Sequence, residues 1–214
     1  MRIQIAAWWY FPLKFHVKPT PDLLAFFKGN EDQIQAFAQI LKGKGIERGL
    51  IGPKEGERIW DRHIANCLPI TTLIPNGVRV ADIGSGAGLP GVVIALARPD
   101  LKVTLVEPLQ RRVDFLNEVV TELNLPIEVI RGRAETVKKQ FEVATARAVA
   151  PLEKLIQICW HMIPKGGSLL AIKGESAAAE IIATKLKKGS SSQLHEIKLA
   201  NLQLIRVVEI KKGA

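Results

Sequence analysis

The chain has 214 residues, with 30 Lys and Arg against 21 Asp and Glu, a formal net charge of +9. That length suits one ordinary domain with a small appendage and is enough to bury a core. A charge so positive favours polyanionic partners without establishing one. Cys67 and Cys159 belong to no CxxC pair, so a zinc site and a disulfide scaffold are set aside, no metal is expected, and a reducing compartment such as the cytoplasm follows.

The opening "MRIQIAAWWYFPLKFH" carries too short an apolar run, without a small-residue cleavage site, and is read as neither a signal peptide nor a membrane span. "PDLLAFFKG" is a short apolar piece. "EDQIQAFAQILKGKG" places Ile34, Phe37, Ile40 and Leu41 on one helical face. "KGKGIERGLIGPKEGE" is a turn-rich link. "RIWDRHIANCL" predicts a helix with Ile59, His63 and Asn66 near one side and Ile64, Cys67 and Leu68 on the more apolar one. Residues 1–76 are therefore expected to form a helical extension packed on a core of residues 77–214.

Beyond Gly77 the pattern switches to alternating strands and helices. Strands are predicted in "VRVADI", "KVTLVE", "IEVIRG", "EVATARAV", "GSLLAIKG", "LHEIKLA" and "QLIRVVEIKK". Helices are predicted over Pro90 to Ala97, in "LQRRVDFLNEVVTELN" with Val113, Leu116, Val120 and Leu123 inward, in "PLEKLIQICWHM" with Leu152, Leu155, Ile156 and Cys159 inward, and in "EIIATKLKK". "KLKKGSSS" reads as a solvated loop. The expected class is α/β, a Rossmann-like, mostly parallel seven-stranded sheet covered on both faces.

The densest signal is "VRVADIGSGAGLPGVVIALA". Glycines this close mark a tight turn or a near approach of backbone to ligand. In an open α/β sheet that turn lies at the ligand-binding edge, and the helix after it adds unpaired N–H groups. A mononucleotide P-loop is excluded, because no lysine lies between Val78 and Asp100. A dinucleotide fold matches Gly86, Gly88 and Gly91, with Glu107 at the end of the next strand. A pocket for S-adenosylmethionine uses the same acid on the ribose. It tolerates Asp82, two residues before Gly84, facing an ammonium, whereas a pyrophosphate does not. Pro108 stops the second strand and holds the Glu107 carboxylate at the rim.

These segments resemble the small-subunit ribosomal RNA methyltransferase G family, also called glucose-inhibited division protein B. The resemblance runs through "LIGPKEGERIWDRHIANC", "ADIGSGAGLPGVVIALARPD", "VTLVEPLQRRVDFLNEV", "GRAE", "TARAVAPLEKL" and "GGSLLAIKG". It covers roughly Ile46 to Gly174, and "ERGLIGPKE" resembles the actinobacterial branch. It implies a class I S-adenosylmethionine-dependent methyltransferase that modifies N7 of one guanine in 16S rRNA near the decoding centre. It carries cofactor contacts to Gly84, Leu89, Ala134, Glu135 and Arg147. Glu107 fills the ribose-binding place of the wider fold, and Gly86, Gly88 and Asp82 complete the expected cofactor set. The chain departs from the family where many members carry an "N…FNLTA"-like stretch; "GIERGLIGP" stands there instead.

Guanine N7 carries a lone pair and no proton, so no catalytic acid or base is expected; position and orientation carry the barrier. "ARAVAPL" follows the fourth strand in place of the Asn/Asp-Pro-Pro-Tyr motif used on exocyclic amines. Arg58, Arg62, His63, Arg111, Arg112 and Arg147 are the candidates for RNA, since arginine forks onto phosphate. Arg111 and Arg112 open a helix, where a cation is mildly disfavoured. The expected partner is 16S rRNA or the small ribosomal subunit, with no membrane and no obligate protein partner, and the chain acting as a monomer. Alternatives are a small-molecule methyltransferase, an NAD-dependent oxidoreductase (Tyr10 is the sole tyrosine) and a non-catalytic RNA-binding or assembly module.

Overall fold

A computed structural model describes residues 19–199 and 202–213; the aromatic opening segment falls outside them. Seven strands form one sheet in the order β3-β2-β1-β4-β5-β7-β6. They are β1 (Arg79–Ile83), β2 (Lys102–Glu107), β3 (Glu128–Arg131), β4 (Val143–Arg147), β5 (Ser168–Lys173), β6 (Ser191–Ile197) and β7 (Ile205–Lys211). Only β7 runs antiparallel to its neighbours β5 and β6; the other pairings are parallel. The order reverses between β1 and β4, and a ligand crevice forms outside the carboxyl ends of the strands at such a point.

Alternation along the strands divides the interior into two apolar layers. Val80, Val103, Leu105, Val143, Leu170 and Val207 face one way, against α3 (Gly91–Ala97), α4 (Gln110–Glu122) and the N-terminal third. Ala81, Ile83, Val106, Ala144, Leu169 and Ala171 face the other, against α5 (Leu152–Cys159) and α6 (Ala177–Ala183). The middle strands are buried on both faces, which is why they read as continuous apolar runs.

The N-terminal third shares the first layer. A short helix α1 (Pro21–Leu24) is capped by Thr20, whose hydroxyl accepts the Leu23 N–H, with Pro21 where no N–H is needed. In α2 (Glu31–Ile40) the predicted face, Ile34, Phe37, Ile40 and Leu41, is buried. This helix does not stop at the expected turn but continues as a π-helical stretch to Gly45. "IWDRHI" is likewise π-helical, over Ile59–Ile64, and tightens into a 3-10 turn at Ala65–Cys67. The wider turn changes the facing pattern: His63 and Ile64, assigned to different sides by a 3.6-residue period, are both buried. Asn30 Nδ2 donates to the Leu96 carbonyl at 2.9 Å, and Arg98 donates to the Thr71 and Ile74 carbonyls, both at 3.0 Å. The N-terminal third is thereby pinned to the C-terminal end of the first crossover helix.

Three elements differ in their bounds from the sequence expectation. Strand β4 ends at Arg147, because Ala148 turns into the left-handed region (φ 55°). Helix α6 starts earlier, at Ala177, and ends at Ala183. Strand β6 begins at Ser191, inside the serine run read as a loop: pairing with β7 supplies backbone partners that a local reading does not see.

Candidate functional site

The glycine turn follows β1 directly. Gly84 and Ser85 still donate to the Val106 carbonyl, at 2.8 and 3.3 Å, so the chain leaves the sheet only after Ser85. Gly84, Gly86 and Gly88 have φ of 64°, 57° and 89°, a region that bulky residues rarely adopt. A Cβ at Gly84 would stand 2.9 Å from Val149, and one at Gly88 would stand 2.8 Å from Val92. At Gly86 nothing lies closer than the Gly84 carbonyl oxygen at 3.8 Å, so here conformation and open space, rather than crowding, demand glycine.

The two strand-end carboxylates sit in different settings. Asp82 is fully buried: Oδ2 accepts the Gly91 N–H at 3.0 Å and Oδ1 accepts the Thr145 hydroxyl at 3.1 Å. Register explains this, since Asp82 stands beside Thr145 on β4 and under the first turn of α3. Burial pushes its pKa up to about 7 against the opposing pull of those hydrogen bonds and of Arg147. The sequence placed this carboxylate toward a ligand ammonium; instead it ties β1, β4 and α3 together and does not border the cleft. Glu107 is also almost fully covered, but by the site itself. Its Oε2 accepts the Gly86 N–H at 3.0 Å, its Oε1 accepts the Leu109 N–H at 3.0 Å, and Arg112 Nη1 lies 3.7 Å away.

A cleft of about 250 Å³ opens over the turn, bounded by Gly84–Ala87, Leu89, Arg112, Arg147 and Ala148 and, across from them, by Leu50, Ile51, Gly52 and His63. The "GLIGP" stretch, where the chain departs from the common family pattern, thus forms one wall. A larger groove of about 870 Å³ lies beside it, bordered by Arg62, Asn66, Val149, Lys173, Gly174 and Arg206. Only Arg147 and Ala148 line both. Asn66 Oδ1 is buried with no hydrogen-bond partner among the described residues.

The remaining candidates divide. Arg147 Nη1 donates to the His63 carbonyl at 3.1 Å and to Cys67 Sγ at 3.2 Å, and its Nη2 lies 3.0 Å from His63 Nδ1. His63 Nε2 lies 3.2 Å from Glu55 Oε2, and Arg62 pairs with the other oxygen of Glu55 at 3.1 Å. Arg58 is exposed and pairs with Asp61. Arg111 is exposed, whereas Arg112 turns over Glu107 with a buried, unpartnered Nε. Ala134 packs into the second apolar layer and Glu135 is exposed. Neither borders the cleft, although the Gly132 N–H bonded to the Glu107 carbonyl holds their loop beside that strand end. Among the described residues no group of acidic, His and Cys side chains is arranged to hold a metal.

Residues 30–205 match the GidB family profile, described as rRNA small subunit methyltransferase G. The chain belongs to this family. A protein of Thermobifida fusca named ribosomal RNA small subunit methyltransferase G is 53% identical over 169 residues, covering 78% of this chain and 71% of that one. A protein of the same name from Mycobacterium sp. (strain KMS) is 49% identical over 171 residues, covering 78% and 76%. In solved structures, a methyltransferase from Pyrococcus furiosus shares the fold, with a TM-score of 0.58 at 16% identity over 88% of this chain and all of that one. The GidB chain is thus a class I methyltransferase, and its methyl donor is S-adenosylmethionine. The cleft fits that donor. Its wall is bare backbone at Gly84 and Gly86 beside apolar Leu89 and Ile51, and no lysine borders it for a phosphate; Glu107 lies behind the turn, bonded to the Gly86 N–H, and does not itself border the cleft.

Proposed function

We propose that this chain methylates N7 of a single guanine of 16S rRNA near the decoding centre. The observation that carries the reading is the meeting of two clefts at Arg147 and Ala148. The smaller is shaped by the glycine turn for the donor; the larger is edged by Arg62, Lys173 and Arg206 alongside Glu175 and Glu180, with Lys173 paired to Glu180, and would take the RNA. Gly84, Gly86 and Leu89 would hold the donor, with Glu107 on its diol; Gly88 shapes the turn, and Asp82 supports β1 from below. When bound, the donor supplies an electrophilic sulfonium methyl. The protein's part is to exclude water, place the base and orient its lone pair, the contributions that proximity and orientation make to a barrier.

Neither residue shared by the clefts offers a proton acceptor on its side chain, in keeping with a base nitrogen that has no proton to lose. Arg147 spends three of its five N–H donors on His63 and Cys67. The remaining two suit the guanine O6 next to N7. A base stacked in its RNA must leave the stack to enter the groove, a cost that single-stranded loops reduce. Arg62, which borders the groove, and the exposed Arg58 and Arg111 would serve as phosphate contacts. The chain acts as a monomer on naked 16S rRNA or the assembled subunit, in the cytoplasm; among the described residues no helix is long and apolar enough to cross a membrane. Incubation with methyl-labelled donor and either 30S subunits or naked 16S rRNA, followed by nucleotide mapping, tests the reading. One N7-methylguanine is expected; donor binding without transfer to either substrate refutes it.

A further inference from the structure

The contacts between His63 and its neighbours assign its proton. A guanidinium only donates, so Nδ1, 3.0 Å from Arg147 Nη2, is an acceptor. A carboxylate accepts, so Nε2, 3.2 Å from Glu55 Oε2, carries the hydrogen. The imidazole is therefore neutral and in one tautomer. It spans from the N-terminal extension to the residue that ends β4. The Cys67 thiol donates to the His63 carbonyl at 3.0 Å and underlies the same guanidinium.

We propose that Glu55 and His63 are positioning residues for methyl transfer: Glu55 fixes the Nε2–H tautomer, and His63 Nδ1 then holds the Arg147 guanidinium where the donor cleft meets the groove. The proposal rests on the reading that Arg147 faces the reacting groups. It explains why a mostly buried histidine keeps a carboxylate on one side and a guanidinium on the other, although Arg147 could pair with a carboxylate directly. A neutral acceptor orients the guanidinium without neutralising it, so its charge and its two spare donors stay available to substrate.

The arrangement is sensitive to acid. A proton on Nδ1 would set N–H against N–H and push Arg147 away. The groups facing the ring are Arg147 from the end of β4, Arg62 and Glu55 from the extension, and the Cys67 thiol beneath. Burial first, then Arg147, hold the His63 pKa below its ordinary value of 6.5, with Glu55 opposing. The device is thus engaged at neutral pH and released on acidification.

Two measurements on the full chain test this. In long-range 1H–15N spectra of the unliganded protein, His63 should show the Nε2–H tautomer; an Nδ1–H signal overturns the proposal. Methyl transfer to 16S rRNA or 30S subunits is then followed between about pH 5 and pH 8, the range in which histidine titrates. In His63→Asn the amide oxygen replaces Nδ1 as acceptor for Arg147. It should keep kcat within a few-fold of the unmodified chain and lose the acidic limb of the profile. In His63→Gln the amide reaches the Nε2 position instead, and kcat should fall at least tenfold. Glu55→Ala should lower kcat about tenfold with the donor KM little changed, and Glu55→Gln should recover part of the loss. Equal losses in His63→Asn and His63→Gln at matched melting temperatures, or an unchanged acidic limb in His63→Asn, overturn the proposal. Inactivity of the unmodified chain on both RNAs instead overturns the functional reading and leaves the tautomer result standing on its own.

Discussion

The donor cleft and the neighbouring groove are built by different means. The turn beneath the cleft is made of backbone: three glycines with positive φ, a Gly86 N–H aimed at Glu107, and Asp82 tying the turn to the sheet from below. The groove is made of side chains drawn from Arg62 and Asn66 in the extension, Lys173 on β5 and Arg206 on β7. Backbone sites lie close together in sequence and demand residue types that nothing else explains. Side-chain sites are assembled by the fold from residues that are ordinary where they stand.

The sharpest way to break this contrast is at the turn. Gly86→Val places a β-branched residue at φ 57°, costing about 1–2 kcal/mol of backbone strain, and fills the cleft. Donor affinity measured by calorimetry should drop at least a hundredfold (about 2.7 kcal/mol), while the melting temperature falls only modestly. Retained affinity would mean that the turn does not face the donor.

Asp82 sharpens the comparison from beneath. Its folded pKa of about 7 lies above the unfolded value of 3.8. The protonated carboxyl is therefore favoured in the fold: its contribution is complete below the unfolded value and is lost as pH rises through about 7. The total is on the order of a few kcal/mol. Melting temperatures should decline across that window in the unmodified chain, and the decline should flatten in Asp82→Asn. The same slope in both would place the titrating group elsewhere.

Glu107→Ala removes the proposed diol contact and also leaves the Gly86 and Leu109 N–H groups unpaired. Donor affinity should fall about tenfold to a hundredfold, a loss of about 1.4–2.7 kcal/mol. The smallest effect belongs to the groove side. Arg111→Ala should weaken RNA binding a few-fold at low salt and reduce the slope of log affinity against log salt by about 1. An unchanged slope would take Arg111 out of the RNA interface.

The sheet was legible because each strand carries its own apolar run and each crossover helix its own periodic face, and Val113, Leu116, Leu155 and Cys159 turn inward as their spacing requires. The glycine turn was legible for the same local reason. Arg112 was not: its spacing suggests an exposed helix start, but the helix it opens lacks a side-chain cap, so Glu107 takes the Leu109 N–H and draws the guanidinium over itself. Glu55 was missed altogether. Eight residues before His63, in a segment that reads as a turn, it meets the imidazole of a π-helical stretch at 3.2 Å, a contact that no local spacing announces. The nearest signal was the pairing of "KEGER" with "DRH", which puts an acid within reach of two basic residues.

The central claim is that the donor lies across the glycine turn with its reactive end at Arg147 and Ala148. A crystal structure with the demethylated donor product, S-adenosylhomocysteine, tests it most directly. The account predicts the sugar diol on Glu107 and the sulfur at the mouth shared with the groove. A sulfur facing away from that mouth, or a product molecule seated anywhere but on the turn, would contradict it.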